Sequence, residues 1–293
     1  LTEIKPLEGR AALITGASQG LGRVIASAYL RAGADLMLCA RSEPQLDQVQ
    51  RELSGLLRPS QKLLVQAADV SDPNQVAHLV QRTVSELGRC HILVNNAGIY
   101  GPMGESESVD WQEWIRTIEI NLFGSVLMCR ALLPYFKSLG YGKIIQLSGG
   151  GATNPMPRIS AYAVSKAAVI RFVETLAAEV SLHHIDVNAI APGALNTRML
   201  KEVLAAGPEK VGQDFYKKSL KQQDSGGVDL NHAADLAVFL ASASSDGLTG
   251  KLISAIWDRW QSWPQHLREI NNSDAYTLRR ITGKDRGLDW GDK

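Results

Sequence analysis

The stretch 15-TGASQGLG-22 decides the fold. It follows the apolar run RAALITG (10–16) and leads into GRVIASAYLRAGA, whose apolar residues recur at helical spacing. A strand that feeds a helix through Gly16, Gly20 and Gly22 needs a turn free of side chains, so that backbone can approach backbone or a ligand. The helix beginning near Gly20 offers free N–H groups and the positive end of its dipole, a natural seat for phosphate. A ligand-free turn has the same local pattern, so the surroundings must choose between the two.

Six further apolar runs come after it: DLMLCAR (35–41), KLLVQAAD (62–69), HILVNNAG (91–98), GKIIQLSG (142–149), DVNAIAPG (186–193) and GKLISAIW (250–257). They are short and mostly do not alternate, which suits strands buried on both faces of a parallel sheet. Amphipathic stretches separate them, and Ser71-Asp72-Pro73 is a helix-start signal. The alternation predicts a doubly wound α/β fold, with a seven-stranded parallel sheet between two helical layers. The catalytic domain is read as 1–257, with a polar insertion at about 195–232, and residues 258–293 as a C-terminal extension.

The bulk numbers exclude several classes. The 293 residues carry a net charge of +1, with 45% hydrophobic and 21% charged residues, so no charge excess points to nucleic acid or an anionic membrane. Cys39, Cys90 and Cys129 are far apart and odd in number, which suggests buried thiols in a reducing compartment. The opening LTEIKPLEGR has no apolar signal core, and no apolar run approaches the roughly 20 residues of a membrane span. NLFGSVLMCRALLPYF is interrupted by Arg130 and Pro134. The expectation is a cytoplasmic protein. His183 and His184 have no third ligand nearby in sequence, so no metal is expected.

The turn reads T-G-x-x-x-G-x-G, the fourth run ends in NNAG (95–98), and a Tyr-x-x-x-Lys pair stands at Tyr162 and Lys166. With these three motifs in order over roughly residues 8–255, the chain resembles the short-chain dehydrogenase/reductase family. The resemblance implies a Rossmann fold and an NAD(P)-dependent reaction on a small carbonyl or alcohol. It implies that Gly16, Ser18, Gln19, Gly20, Leu21 and Gly22 line a pyrophosphate turn. It places Asp69 and Val70 at the adenine, and Asn95, Asn96, Ala97 and Gly98 beside the nicotinamide ribose. Pro192, Gly193 and Thr197 fall at the nicotinamide carboxamide. A homodimer or homotetramer is implied in the same way.

The end of the second strand reads LCARSE, where an NAD site needs an acid for the ribose 2′-OH. Arg41 suits a 2′-phosphate and Ser42 can add a hydroxyl, so NADP(H) is favoured. NAD(H) remains possible: Arg41 can be a solvated charge, Glu43 can serve the 2′-OH, and the turn carries Gln19 where relatives often have arginine.

Tyr162 and Lys166 lie one helical turn apart, so the ammonium is expected to lower the phenol's pKa and ready it for proton exchange. In the family the lysine also holds the ribose, and Asn121 matches the asparagine that anchors a water chain to it. The family's serine, which donates to the substrate oxygen, is less simply placed. The run is IIQLSGG, with Ser148 at the first serine position and Gly149 at the second. Ser148 is the favoured donor, with backbone N–H groups of Gly149–Gly151 and the hydroxyl of Thr153 as alternatives.

The insertion resembles a substrate lid, with Gly226 and Gly227 as hinges. Its Lys217, Lys218 and Lys221 either meet an acidic substrate or form a solvated helix face. The tail's tryptophans Trp257, Trp260, Trp263 and Trp290 cover a neighbouring subunit, close the site or pack on their own domain. The expected activity is NADP(H)-dependent hydride transfer with Tyr162 as proton donor and acceptor. A non-catalytic nucleotide-binding scaffold is the alternative. Nucleotide-sugar epimerisation is disfavoured because those longer relatives space the turn as G-x-x-G-x-x-G.

Overall fold

The computed structural model describes residues 5–288 and 290; residues 1–4, 289 and 291–293, at the ends of the expected domain and tail, lie outside the described residues. Each of the seven apolar runs gives one strand, the sixth beginning one residue before its run: β1 Ala11–Thr15, β2 Asp35–Ala40, β3 Leu63–Ala67, β4 Ile92–Asn95, β5 Gly142–Leu147, β6 Ile185–Ala191 and β7 Leu252–Ser254. They form one parallel sheet in the order β3-β2-β1-β4-β5-β6-β7. Parallel neighbours need long crossovers, and helices supply them. These are α1 Gly20–Arg31, α2 Glu43–Ser54, α3 Pro73–Leu87, α4 Trp111–Ile118, α5 Gly124–Leu139 and α6 Ser160–Glu179, and then α7 Arg198–Ala206, α8 Pro208–Val211, α9 Gln213–Asp224, α10 Leu230–Ala241 and α11 Leu267–Asn271.

Two cores sit on the two faces of the sheet, giving three layers. Ala12 and Ile14 of β1 pack with Ile25 and Tyr29 of α1 and Leu236 of α10. Ala11 and Leu13, the alternate residues, pack with Leu79 of α3, Met128 and Phe136 of α5 and Val173 of α6. Both faces are dry, which is why the strands read as continuous apolar runs. The three cysteines are buried, and burial pushes their thiols up to about 12. The start signal at residue 72 is realised: the Asp72 carboxylate accepts from Asn74 N and Gln75 N, and Pro73 opens α3.

A π turn, Glu119–Phe123, joins α4 to α5. The resulting helix, Trp111–Leu139, has 29 residues and is long and apolar enough to cross a membrane by length and composition, contrary to the sequence expectation. Its apolar side is used within the fold, because Met128, Leu132 and Phe136 are buried against the sheet.

The chain turns back between β1 and β4. At that switch point the helices on either side diverge, and a crevice opens beyond the carboxyl ends of the strands.

Candidate active site

The crevice is a cavity of about 880 Å³ that runs from the glycine turn to α6. The turn is held from below. Asn96 Nδ2 donates to Thr15 O and Gly16 O, both at 3.0 Å, and Thr15 Oγ1 accepts from Asn96 N and Ala97 N. Gly16 has φ 64°, and a Cβ there would lie 2.8 Å from Ala97 Cα. Gly22 does not line the cavity; a Cβ on it would lie 2.4 Å from Gly16 O, so this glycine lets the helix pack under the turn. Above the turn the space is open, and a Cβ on Gly20 would meet nothing nearer than Thr197 Cγ2 at 3.7 Å. These features suit a pyrophosphate seated on α1.

At one end of the cavity, Arg41 and Ser42 line the wall and Glu43 does not. Arg41 is exposed and makes no ion pair or hydrogen bond among the described residues. Ser18 Oγ donates to Gln45 Oε1 nearby at 3.3 Å. Asp69 and Val70 also line the wall. Burial raises the Asp69 carboxyl, but hydrogen bonds from Ser71 and the charge of Arg116 outweigh it and hold the group below its usual value. Arg116 pairs with Asp69 and with Glu119 and donates to Ser71 Oγ at 2.7 Å.

Asn96, Ala97 and Gly98 face the cavity, but Asn95 does not. Strand alternation turns the Asn95 side chain towards α5, where Nδ2 donates to Ser125 O at 3.4 Å. Asn121 lies behind the wall. Its Oδ1 accepts from Ile99 N and its Nδ2 donates to Ile99 O and Ser165 Oγ, each at 2.9 Å. Pro192, Gly193 and Thr197 line the far side, after β6.

Tyr162 and Lys166 are buried on one face of α6 and both line the cavity. Lys166 Nζ lies 5.6 Å from the centroid of the phenol ring and donates to Leu147 O at 2.9 Å. Burial lowers the ammonium's pKa to about 8. Burial, with a smaller contribution from Tyr100, raises the Tyr162 phenol well above its usual value. The expected downward shift of the phenol is therefore not produced by Lys166 alone, because desolvation outweighs a weakened ammonium that is already engaged.

The serine position also departs from expectation. Ser148 lines the cavity with the pair, but its Oγ is buried and makes no hydrogen bond, to the phenol or to any other described group. The position directed at the phenol is Gly149, where a Cβ would lie 2.0 Å from Tyr162 Oη. Successive residues of an extended chain face opposite ways, which sets Gly149 rather than Ser148 against the phenol.

A sequence profile described as short chain dehydrogenase matches residues 10–207. The chain belongs to the short-chain dehydrogenase family. It is 30% identical over 256 residues to the short chain dehydrogenase pigC of Monascus ruber, covering 86% of this chain and 80% of that protein. It is 34% identical over 251 residues to the oxidoreductase UcpA of Escherichia coli K12, covering 83% and 92%. Other curated relatives are matched over as little as 59% of their length. Among solved structures, levodione reductase aligns with TM-score 0.78 at 28% identity, covering 87% of this chain and 98% of that one. Gluconate 5-dehydrogenase of Burkholderia cenocepacia, solved with NADP and tartrate, aligns with TM-score 0.74 at 27% identity, covering 85% and 94%. This chain is thus an oxidoreductase with an NAD(P)-binding Rossmann fold.

In this short-chain dehydrogenase the insertion expected to act as a lid forms α7, α8 and α9. Its cavity face on α9 is Phe215, Ser219 and Gln222, spaced by four and three residues, while Lys217, Lys218 and Lys221 point to solvent. The lysines therefore have no access to a substrate in this arrangement. Gly226 and Gly227 have φ of 82° and 66°, and Val228 pairs with Leu195 at the lid's base. The tail packs on its own domain: Trp260 and Trp263 are buried, Trp260 against Phe239 with ring centroids 5.4 Å apart. Leu252 N donates to Tyr276 O at 2.8 Å, so the tail borders the outer edge of β7. Trp257 is 85% exposed and stands at the cavity mouth. Sequence reasoning missed Tyr100, Arg116, Phe215 and Gln222 at or beside the site. The four- and three-residue spacing on α9 was the available signal for the last two.

Proposed function

We propose that this chain is an NADP(H)-dependent oxidoreductase acting on a carbonyl or secondary alcohol, with Tyr162 as proton donor and acceptor. One observation carries the proposal: a single cavity joins the glycine turn to the buried Tyr162–Lys166 pair. The bound dinucleotide would supply the hydride and, when oxidised, a positive ring charge that favours phenolate. The turn residues Gly16 to Leu21 would seat its pyrophosphate, and Lys166 and Asn96 to Gly98 would hold the ribose next to the reacting centre. Unpaired Arg41, with Ser42, would hold a 2′-phosphate, which favours NADP(H) over NAD(H).

Tyr162, sealed from water on most sides, would move its proton only to or from a substrate oxygen in the cavity. The substrate end is walled by Ile99, Met156, Met199, Val203 and Phe215, which suits a small molecule with an apolar flank. Phe123 and Val164, exposed on the helical layer beside the site, suit a homo-oligomer, which sedimentation of the purified chain tests.

Gly149 favours the second reading, a nucleotide-binding scaffold without turnover, because no hydroxyl stands at that position. The two separate in one experiment. Tyr162→Phe is expected to bind NADPH as the wild type does and to lose at least about 100-fold in kcat on ketone and alcohol substrates. Equal turnover by the variant removes Tyr162 from the chemistry, and tight NADPH binding with no wild-type turnover supports the scaffold.

A further inference from the structure

In the proposed reaction, the substrate oxygen gains negative charge as hydride arrives, and a second hydrogen-bond donor beside the proton donor stabilises it. The three donors expected from sequence do not meet this need equally. Gly149 faces the phenol but has no side chain. Ser148 lines the cavity, but its Oγ is buried and has no hydrogen-bond partner. Thr153 lines the cavity and its hydroxyl accepts from Asn154 Nδ2 at 3.0 Å, which leaves its O–H free to donate, but no hydrogen bond among the described residues ties it to Tyr162.

Tyr100, two residues beyond Gly98, lines the same cavity. Its ring stands edge-on to Tyr162, with centroids 4.6 Å apart and planes at 65°. Its hydroxyl makes no hydrogen bond among the described residues and, unlike Ser148 Oγ, is not fully buried. The phenol oxygen of Tyr162 occupies the volume that a side chain at 149 would fill, and its ring meets that of Tyr100. Tyr100 thus brings a ring and a hydroxyl to the same cavity wall as Tyr162, where Gly149 brings no side chain.

We propose that Tyr100 is a catalytic residue of the oxidoreductase reaction, its phenol O–H donating a hydrogen bond to the substrate oxygen in the role that position 149 cannot fill. The proposal rests on the redox reading above. In the direction of reduction, hydride forms the new C–H bond, the carbonyl π pair moves to oxygen, and the Tyr162 proton completes the O–H bond. The cofactor would supply both electrons with the hydride, the carbonyl would be reduced, Tyr162 would be left as phenolate to regain a proton from solvent, and Tyr100 would keep its proton. Burial, with a smaller effect of Glu202, raises the Tyr100 pKa, which keeps it a donor at neutral pH.

The test uses Tyr100→Phe, which keeps the packed ring and removes only the oxygen, with Tyr162→Phe, Ser148→Ala and Thr153→Val alongside. Steady-state reduction of phenanthrenequinone and of aryl ketones by NADPH gives kcat and KM, and fluorescence titration gives NADPH affinity. Tyr100→Phe is expected to lose roughly 100-fold or more in kcat, while NADPH affinity and thermal midpoint stay close to wild type. Ser148→Ala and Thr153→Val are expected to stay within about threefold in kcat. A purely packing role leaves kcat of Tyr100→Phe unchanged, and that result, with Tyr162→Phe inactive, overturns the Tyr100 proposal alone. A loss found in Ser148→Ala or Thr153→Val instead also overturns it. A wild type inert on every probe, or turnover that survives Tyr162→Phe, overturns the redox reading and this proposal together.

Discussion

Lys166 shows what the site costs at the scale of one residue. Its side chain is buried at the cavity wall, and burial lowers the ammonium's pKa from 10.5 to about 8. Below pH 8 both folded and unfolded chains carry the charge, and the folded chain bears the full desolvation cost. Between 8 and 10.5 the folded chain releases its proton while the unfolded chain keeps it, so wild-type stability rises with pH. Lys166→Met is therefore expected to be more stable than wild type at pH 7, by up to about 3 kcal/mol, with the gap closing towards pH 10.5. Urea unfolding at several pH values measures this, and turnover is expected to be lost. Arg41 contrasts with it, since it is exposed and unpaired. Arg41→Ala is expected to leave stability unchanged and to weaken NADPH by about 10-fold or more relative to NADH, as read by paired titrations. The Tyr162–Lys166 pair was legible because a helix sets i and i+4 on one face wherever it occurs. Gly149 and Ser148 were not, because which of two neighbours faces the phenol depends on the strand's setting against α6. Nor was Arg116 legible: it reaches Asp69 across 47 positions of sequence, with no local pattern to mark the pairing.

At the scale of elements, the π turn at Glu119–Phe123 sets the position of Asn121. An extra residue in one helical turn rotates the rest of the helix, and such turns are frequent at functional sites. Here it coincides with an amide side chain that satisfies both polar groups of the Ile99 peptide and the Ser165 hydroxyl. A Cβ on Gly98 would lie 3.2 Å from Asn121 Oδ1 and 3.6 Å from Lys166 Nζ, so the amide and the ammonium share one corner. Asn121→Leu leaves the partly buried Ile99 N–H and C=O without these partners. It is expected to cost about 1–3 kcal/mol in denaturant unfolding and to lower kcat/KM by loosening the loop that carries Gly98 and Tyr100. Strand and helix existence was readable from apolar runs and caps, as the Asp72 cap shows. The π turn was not, since EINLFGS contains no proline or other residue that marks one. The tail's course was also hidden: its tryptophans were visible in sequence, but not which of them meets Phe239 and which stands at the cavity mouth.

At the scale of the whole molecule, the sheet separates stability from chemistry. The site lies beyond the carboxyl ends of the strands, and a second polar cluster lies at their amino ends. There Lys143 Nζ donates to Asp186 Oδ2 at 2.6 Å and to Ser245 Oγ at 3.3 Å, and pairs with Asp246 at 2.8 Å. Lys143 is 1% exposed. It ties β5 to β6 and to the turn after α10, and Asp186 also accepts from Gly247 N at 3.0 Å. None of this was legible, because the two ends of each ion pair come from separate runs that only the strand order brings together. Removing one partner of a buried pair leaves the other charge uncompensated, which typically costs about 3–5 kcal/mol. Lys143→Met is expected to fall in that range. Adding Asp186→Asn should restore much of the loss, since the amide oxygen still accepts from Gly247 without a buried charge. Leu147, where β5 enters the site, is about 13 Å along the strand from Lys143, at roughly 3.3 Å per residue. At 25 °C the surviving folded enzyme should therefore keep wild-type kcat and NADPH affinity while its thermal midpoint drops. A fall in kcat that matches the loss of stability would instead mean that the two edges of the sheet are coupled.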